Sequence, residues 1–235
     1  MWLTSSSIGR KVVMSVTGAC LVLFLTFHMA MNLAYVYDVI AGTNGHNYNA
    51  VCEFLGTNWY ALLGTAGLAG LAVLHIIYAF WLTLQNYKAR GNDRYAVSGK
   101  QPVHFAAKNM LVLGIIIVLG LGLHFAHFWY NMMFAELVEM QGKYAAADGY
   151  NWITYQFSCP VNIVLYIVWF AALWYHLTHG IWSSMQTLGL NGKIWLNRWI
   201  CISYVWATII VLGFLAVIIA AQFAGCCGSC CGAAN

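Results

Sequence analysis

Five long apolar runs dominate the pattern of hydrophobic and polar positions along the chain. Each exceeds the roughly 20 residues that a helix needs to cross the hydrocarbon core of a membrane. The predicted spans cover about residues 12–36, 59–87, 104–130, 160–188 and 197–223. None ends in a small-residue cleavage site after a short apolar core, so the first helix is expected to stay in the mature protein. The pattern predicts an all-α membrane protein in which residues 1–235 form one domain, a bundle of five transmembrane helices.

Composition and charge support this class and predict an orientation. The chain is 62% hydrophobic and 7% charged, far from the soluble average. Of the ten basic residues, only Lys143 falls on the side of the predicted bundle opposite to the N-terminus, and all the others fall on the same side as the N-terminus. The other nine are Arg10, Lys11, Lys88, Arg90, Arg94, Lys100, Lys108, Lys193 and Arg198. The positive-inside rule then places the N-terminus in the cytoplasm, for a multi-pass protein of the cytoplasmic (inner) membrane of a bacterium. Such a basic rim contacts membrane lipid headgroups, and no nucleic-acid binding is expected.

Each of the first four spans carries a histidine at a matched depth. His28 lies 18 residues after Arg10, and His124 lies 16 residues after Lys108. His75 and His176 each lie 16 residues after the residue that starts theirs. At about 1.5 Å per residue, every one is roughly 24 to 27 Å from the edge where its helix begins. Because successive spans alternate in direction, the first two share an outer depth and the second two share an inner depth.

These four histidines predict two metal centres. An ionisable group inside a bilayer is costly and functional by default, although a lone buried histidine bonded to a neighbouring helix is also common. Two axial imidazoles make haem iron six-coordinate, which suits electron transfer. Zinc or copper fits less well, because the sequence clusters no third or fourth ligand beside either pair. We therefore expect two haem b groups, the outer one with its iron bound by His28 and His124 and the inner one by His75 and His176.

Two helices carry a second histidine three residues further on, His127 after His124 and His179 after His176. At that spacing either member of a pair can face the same side of a helix. The better depth match favours His124 and His176, and leaves the other two for a haem propionate, a pocket or a helix interface. Solvated positions are expected for the remaining two histidines, His46 and His104.

Short motifs surround the four predicted ligands. They are MSVTG and FHMAMN in the first span, VLHIIYAF around His75, a glycine ten residues before His124, and HLTHGIWSSMQTLG from His176. These motifs, in this order over about residues 8–220, resemble the five-helix, two-haem cytochrome b subunit of succinate dehydrogenase and fumarate reductase complexes. In that family the fourth-helix ligand is followed four residues later by Gly, an aliphatic and an aromatic residue. That pattern favours His176, and the glycine spacing favours His124.

The resemblance implies that the chain is an electron conduit. Members of the family anchor a flavoprotein subunit and an iron-sulfur subunit on the cytoplasmic face, and they pass electrons between these and a membrane quinone, menaquinone or another. The dicarboxylate chemistry then occurs on the partners, and a dimer of the complex is compatible with this arrangement. The sequence agrees, because it has no Cys-x-x-Cys in a cytoplasmic loop and no Gly-rich dinucleotide fingerprint. Two alternatives are a haem-b subunit of another quinone-linked respiratory dehydrogenase and a non-redox transporter with histidines on a proton path.

Quinone chemistry also needs a group that exchanges protons beside a low-dielectric pocket. Glu53 lies just before the second span on the outer side, where some two-haem relatives place a quinol-site glutamate. Its neighbours Phe54 and Leu55 predict partial desolvation, and a solvated loop carboxylate is the equal alternative. Trp174 occupies the position of a glutamate that certain menaquinol-oxidising relatives use for proton transfer across the membrane. That particular path is therefore not expected in this chain.

Haem propionates need hydrogen-bond donors near the mouth of the pocket. Ser15, in MSVTG, resembles a family propionate contact, and Lys108 is a second candidate. A serine in a membrane helix also often bonds its own backbone instead.

The two outer loops, about residues 37–58 and 131–159, are long enough for short amphipathic helices or for a lid. They contain Cys52 and Cys159, which can be considered for a disulfide. The CCGSCC tail has metal-ligand spacing between two of its cysteines, but it lacks a second ligand-rich segment. Lipidation, disulfides and an indifferent tail all remain open for it.

Overall fold

A computed structural model describes residues 6–90 and 105–231 of the chain, without the side chains of residue 90 and residues 226–231. The helices are α1 (Ser7–Ala41), α2 (His46–Thr57), α3 (Trp59–Arg90), α4 (Phe105–His124), α5 (Gly149–Phe157), α6 (Pro160–Thr187) and α7 (Lys193–Cys231). Beyond its last residue α4 continues as a π-helix, Phe125–Phe134, and one final α-helical turn, Ala135–Leu137. Arg94, Lys100, His104 and the side chains of the CCGSCC tail lie outside the described residues.

Five of these helices are long and apolar enough to cross a membrane, as predicted: α1, α3, α4 with its continuation, α6 and α7. Their ends follow local rules. The Ser6 hydroxyl accepts the Gly9 N–H at 2.9 Å and so caps the start of α1. Gly42 ends α1 in a left-handed conformation, φ 68°, which costs glycine little. Pro160 begins α6, where its missing N–H needs no partner.

The bundle has a tight centre and a looser side. Helices α1, α6 and α7 pack extensively against one another and contribute most of the buried apolar side chains. Helix α3 packs mainly on α1, and α4 packs mainly on α6, while α3 and α4 contact each other little. Two diagonals therefore cross the four-helix part of the bundle, from α1 to α4 and from α3 to α6. The many exposed leucine, isoleucine, valine and phenylalanine side chains on these helices fit a surface in contact with lipid.

Indole N–H groups join the helices inside the bundle. Trp206 on α7 donates to the Thr26 hydroxyl on α1 at 2.9 Å. Trp169 on α6 donates to the Ile117 carbonyl on α4 at 3.1 Å, and Gly120 leaves the room for its ring. Hydrogen bonds of this kind contribute about 0.6 kcal/mol each on average within a membrane. They fix which faces of α1, α4, α6 and α7 meet.

The short helices α2 and α5 form a cap over one end of the bundle, which we call the outer end. The prediction of short helices in the two long loops is confirmed. The two cap helices interlock, since Asn49 of α2 donates to the Asp148 carboxylate at 3.0 Å and accepts the Tyr150 N–H at 2.9 Å. Asp148 also caps the start of α5 by accepting from the Asn151 N–H.

The opposite, inner end carries the basic side chains. The guanidinium of Arg10, at the start of α1, lies 4.8 Å from the ring centre of Trp81, near the end of α3. Exposed basic side chains at this end are Lys11, Lys88, Lys108, Lys193 and Arg198. Lys143 lies at the outer end, where its ammonium is 3.6 Å from the ring centre of Tyr155. The uneven charge of the two ends is thus a property of the folded bundle.

Candidate metal centres

The outer pair of histidines faces across the first diagonal. His28 of α1 and His124 of α4 have ring centres 5.8 Å apart, with ring planes at 86°. Aromatic rings surround them: Phe24 stacks on His28 at 5.4 Å, and Trp169 lies 5.7 Å from His124. Phe214 of α7 closes the other side of His28, at 5.8 Å. Two imidazoles from different helices therefore share one apolar compartment.

The inner pair faces across the second diagonal. His75 of α3 and His176 of α6 have ring centres 6.4 Å apart, with ring planes at 71°. The Thr17 hydroxyl lies 3.1 Å from Nδ1 of His75, and it donates its own proton to the Val13 carbonyl at 2.9 Å. With the hydroxyl proton on the Val13 carbonyl, its oxygen can accept Nδ1–H of His75. In that tautomer Nε2 of His75 is the atom able to bind a metal.

Two residues of the MSVTG motif, Thr17 and Gly18, lie against the His75 ring. A side chain at Gly18 would come within 3.1 Å of the His75 ring, so glycine makes room for the imidazole. Thr17 is buried and holds the ring by a hydrogen bond. Ser15 of the same motif, predicted as a propionate contact, is buried on α1, and that role stays a prediction. The roles of Thr17 and Gly18 were not predicted. The signal for them in the sequence was the TG dipeptide, which places a hydroxyl beside a residue without a side chain and so can receive a ring from the neighbouring helix.

The second histidines of α4 and α6 face elsewhere. The His127 ring stacks on Tyr166 with centres 5.9 Å apart, and its Nδ1 lies 3.4 Å from the Tyr166 hydroxyl. His179 packs edge-on against Trp182 at 4.9 Å. The π-helix begins directly after His124, and its wider turn separates His127 from His124 around the helix axis. Rotation about the helix axes thus selects His124 and His176 as the members that face a partner.

The residues present fit a group held by two axial imidazoles. Two imidazoles on one metal, with bonds of about 2 Å, have ring centres roughly 6 Å apart, which agrees with both pairs. The Nδ1 atoms of His124 and His176 are buried and have no hydrogen-bond partner within the described part of the chain. Leaving such a nitrogen unpaired is costly, but iron bound through Nε2 would not pair it, so the fit of both sites rests on the spacing of the imidazoles. The described residues contain no group of three or more potential metal ligands, which disfavours a conventional zinc site.

The other predicted site residues differ in how far they are buried. Ser15 is buried on α1, and Lys108 is exposed at the start of α4. Glu53 is exposed on α2 and lines an open depression of the cap with Asn49 and His46. The partial desolvation expected for Glu53 is therefore not seen in the folded chain. His46 is exposed, as expected for a solvated residue.

The disulfide considered between Cys52 and Cys159 is absent. Both thiols are free. Cys52 packs against Gly149 of α5, whereas Cys159 is exposed just before α6. Burial raises the pKa of the Cys52 thiol to about 11. It also raises the pKa of the Tyr48 phenol well above its ordinary value. Both groups are neutral structural parts of the cap at physiological pH.

No protein-family model, characterised protein or solved structure matches the chain at a significant level. The described residues form a helical bundle with five helices long and apolar enough to span a membrane and with two pairs of histidines that face each other. The resemblance to two-haem cytochrome b subunits therefore rests on the motifs, and any role in ligation remains a prediction.

Proposed function

We propose that the chain is the membrane-anchor cytochrome b subunit of a succinate:quinone oxidoreductase, a succinate dehydrogenase or a quinol:fumarate reductase. The observation that carries this proposal is the pair of cross-bundle imidazole contacts, at 5.8 and 6.4 Å, at the two depths counted from the sequence. Among two-haem membrane cytochromes, the resemblance of the motifs favours the subunit of this class of complex. The chain would bind two haem b groups and a membrane quinone, menaquinone or another.

The side chains of each centre have separate tasks in this proposal. A haem bound between two imidazoles would supply one-electron transfer. His28 and His124 would hold the outer haem, and His75 and His176 the inner one. The Thr17 hydroxyl contacts Nδ1 of His75 and so orients that ring. Phe24, Trp169 and other aromatic rings exclude water from the outer pair.

The inner end is the proposed docking face for the flavoprotein and iron-sulfur subunits. Five exposed lysine and arginine side chains lie there, and the positive-inside rule assigns a basic end to the cytoplasm. Contact with anionic lipid headgroups uses the same side chains. In this orientation the inner pair lies between the iron-sulfur subunit and the outer pair. Oxidation of succinate or reduction of fumarate takes place on the partner subunits. The complex lies in a bacterial inner membrane, and two copies of it can form a dimer.

A reduced-minus-oxidised spectrum and a haem assay on the purified chain test the proposal. We expect b-type bands and two haems per chain. His75→Ala is expected to remove one haem, while the matched variant His179→Ala retains both. A chain without haem would favour the transporter alternative. Haem without a co-purifying flavin-bearing dehydrogenase subunit would favour another quinone-linked cytochrome, and succinate turnover by the isolated chain would contradict the conduit role.

A further inference from the structure

A hydrogen-bonded chain joins the cap to the helical turn that carries His28. The Tyr48 hydroxyl of α2 donates to Oδ1 of Asn32 at 3.0 Å. Asn32 in turn donates from Nδ2 to the carbonyl of His28 at 2.8 Å. Tyr48 is only 7% exposed, so this connection is shielded from competing water. The phenol therefore acts as a strut between α2 and the outer histidine of α1.

The base of this strut is fixed on the same helix. Asp38, near the end of α1, is fully buried, and its carboxylate accepts the Tyr48 N–H at 2.7 Å. It also accepts from the Asn47 side chain at 2.6 Å and from the Thr43 hydroxyl. A carboxylate that accepts several hydrogen bonds at the start of a helix holds that helix firmly. Tyr48 is thus anchored to α1 both through its backbone and through its hydroxyl.

A second strut reaches the helix that carries His124. Gln156, at the end of α5, donates to the carbonyl of His127 at 3.3 Å. This carbonyl lies in the π-helical continuation of α4 and also accepts from the Asn131 side chain at 3.0 Å. Gln156 is 8% exposed, and Asn162 of α6 donates to its side-chain oxygen at 3.3 Å. The turn that follows His124 is therefore tied to α5.

The two struts form one connection between α1 and α4, because α2 and α5 interlock through Asn49 and Asp148. The inner pair is held differently, by the direct contact of Thr17 with His75. Among the helices that the structure describes, α2 and α5 are the short ones, and both lie at the outer end. The hydrogen bonds of the cap reach the turns next to His28 and His124, whereas α3 and α6, which continue directly from the cap helices, carry His75 and His176 16 residues further along, away from the cap.

We propose that Asn32, Tyr48 and Gln156 are positioning residues, which set the separation and the ring orientation of His28 and His124. This inference rests on the proposed function, because a metal held by both rings would sense their geometry. It assigns to the cap a task beyond covering the bundle: adjusting the outer centre without affecting the inner one.

Tyr48→Phe tests the first strut in the complete membrane complex, and Tyr155→Phe is its control. Tyr155 is an exposed tyrosine of the cap helix α5 whose ring lies against the Lys143 ammonium. The readouts are the midpoint potential and the ferric low-spin resonance of each haem, since that resonance depends on the angle between the two imidazole rings. The outer component is identified by its loss in His28→Ala. We expect Tyr48→Phe to change the outer component alone and Tyr155→Phe to change neither.

Gln156→Met tests the second strut, with Gln222→Met as control. Gln222 of α7 donates to the Phe157 carbonyl of α5 at 2.9 Å and has no hydrogen bond to α4. The same selective change in the outer component is expected for Gln156→Met only. Unchanged outer signals in both strut variants, or equal changes in both haems, would overturn the inference.

An assay without haem separates this inference from the proposed function. In the haem-free chain in detergent, amide hydrogen exchange over residues 27–32 should become several-fold faster in Tyr48→Phe but not in Tyr155→Phe. Exchange over residues 125–132 should respond in the same way to Gln156→Met. If the wild-type chain bound no haem, the proposed function would fail, and these exchange rates would still decide whether the struts hold the two helices. Exchange identical to wild type in both strut variants would reject them.

Discussion

Removal of the Thr17 hydroxyl is the sharpest test of the inner centre. Thr17 is 4% exposed, and its oxygen is 3.1 Å from Nδ1 of His75. Thr17→Val keeps the size of the side chain but removes the hydroxyl from Nδ1 of His75, a ring that also contacts the Met14 backbone. Losing the partner of a buried donor costs at most about 1 to 3 kcal/mol. If that cost falls on the state in which His75 is a ligand, inner-haem affinity drops roughly 5- to 150-fold, close to the 10- to 100-fold effect of losing a residue that orients a ligand.

Haem titration of the haem-free chain measures this effect directly. One of two binding phases should weaken in Thr17→Val, and Thr17→Ser, which retains a hydroxyl, should restore it. Thr65→Val is the control, since the Thr65 hydroxyl of α3 donates to its own helix at the Ala61 carbonyl, at 2.9 Å. Two wild-type phases in Thr17→Val would refute the orienting role. Equal weakening in Thr65→Val would indicate a general loss of helix stability instead.

Two further predictions concern the outer end. Glu53 lines the open depression of the cap at the outer end, and Glu53→Gln should keep both haems and artificial-dye activity on the partner subunits. Quinone-linked turnover should fall at least about tenfold, as for loss of a positioned acid-base group; wild-type quinone turnover would return Glu53 to a solvated loop carboxylate. The raised pKa of Cys52, from 9.0 to about 11, lowers its thiolate fraction at pH 8 about a hundredfold. Alkylation at that pH, mapped by peptide mass spectrometry, should therefore modify exposed Cys159 long before Cys52, and equal rates would contradict the buried packing of α2 against α5.

The sequence alone determined the features that depend on distance along a helix. The number and approximate limits of the five spans follow from runs of apolar residues, because a span must match the thickness of the hydrocarbon core. The depth of each histidine follows from a fixed rise per residue. The concentration of lysine and arginine at one end follows from the alternating direction of successive spans.

The tertiary structure decided everything that depends on rotation and contact between helices. A π-helix beginning at Phe125 turns His127 toward Tyr166, and no periodicity in the sequence announces it. Thr17 meets His75 because the contact is set by how α1 and α3 are rotated against each other. Glu53 is exposed because α2 is fixed by Asp38 with that face outward. Spacing along one chain gives a depth, whereas a partner on another helix requires the packing of both.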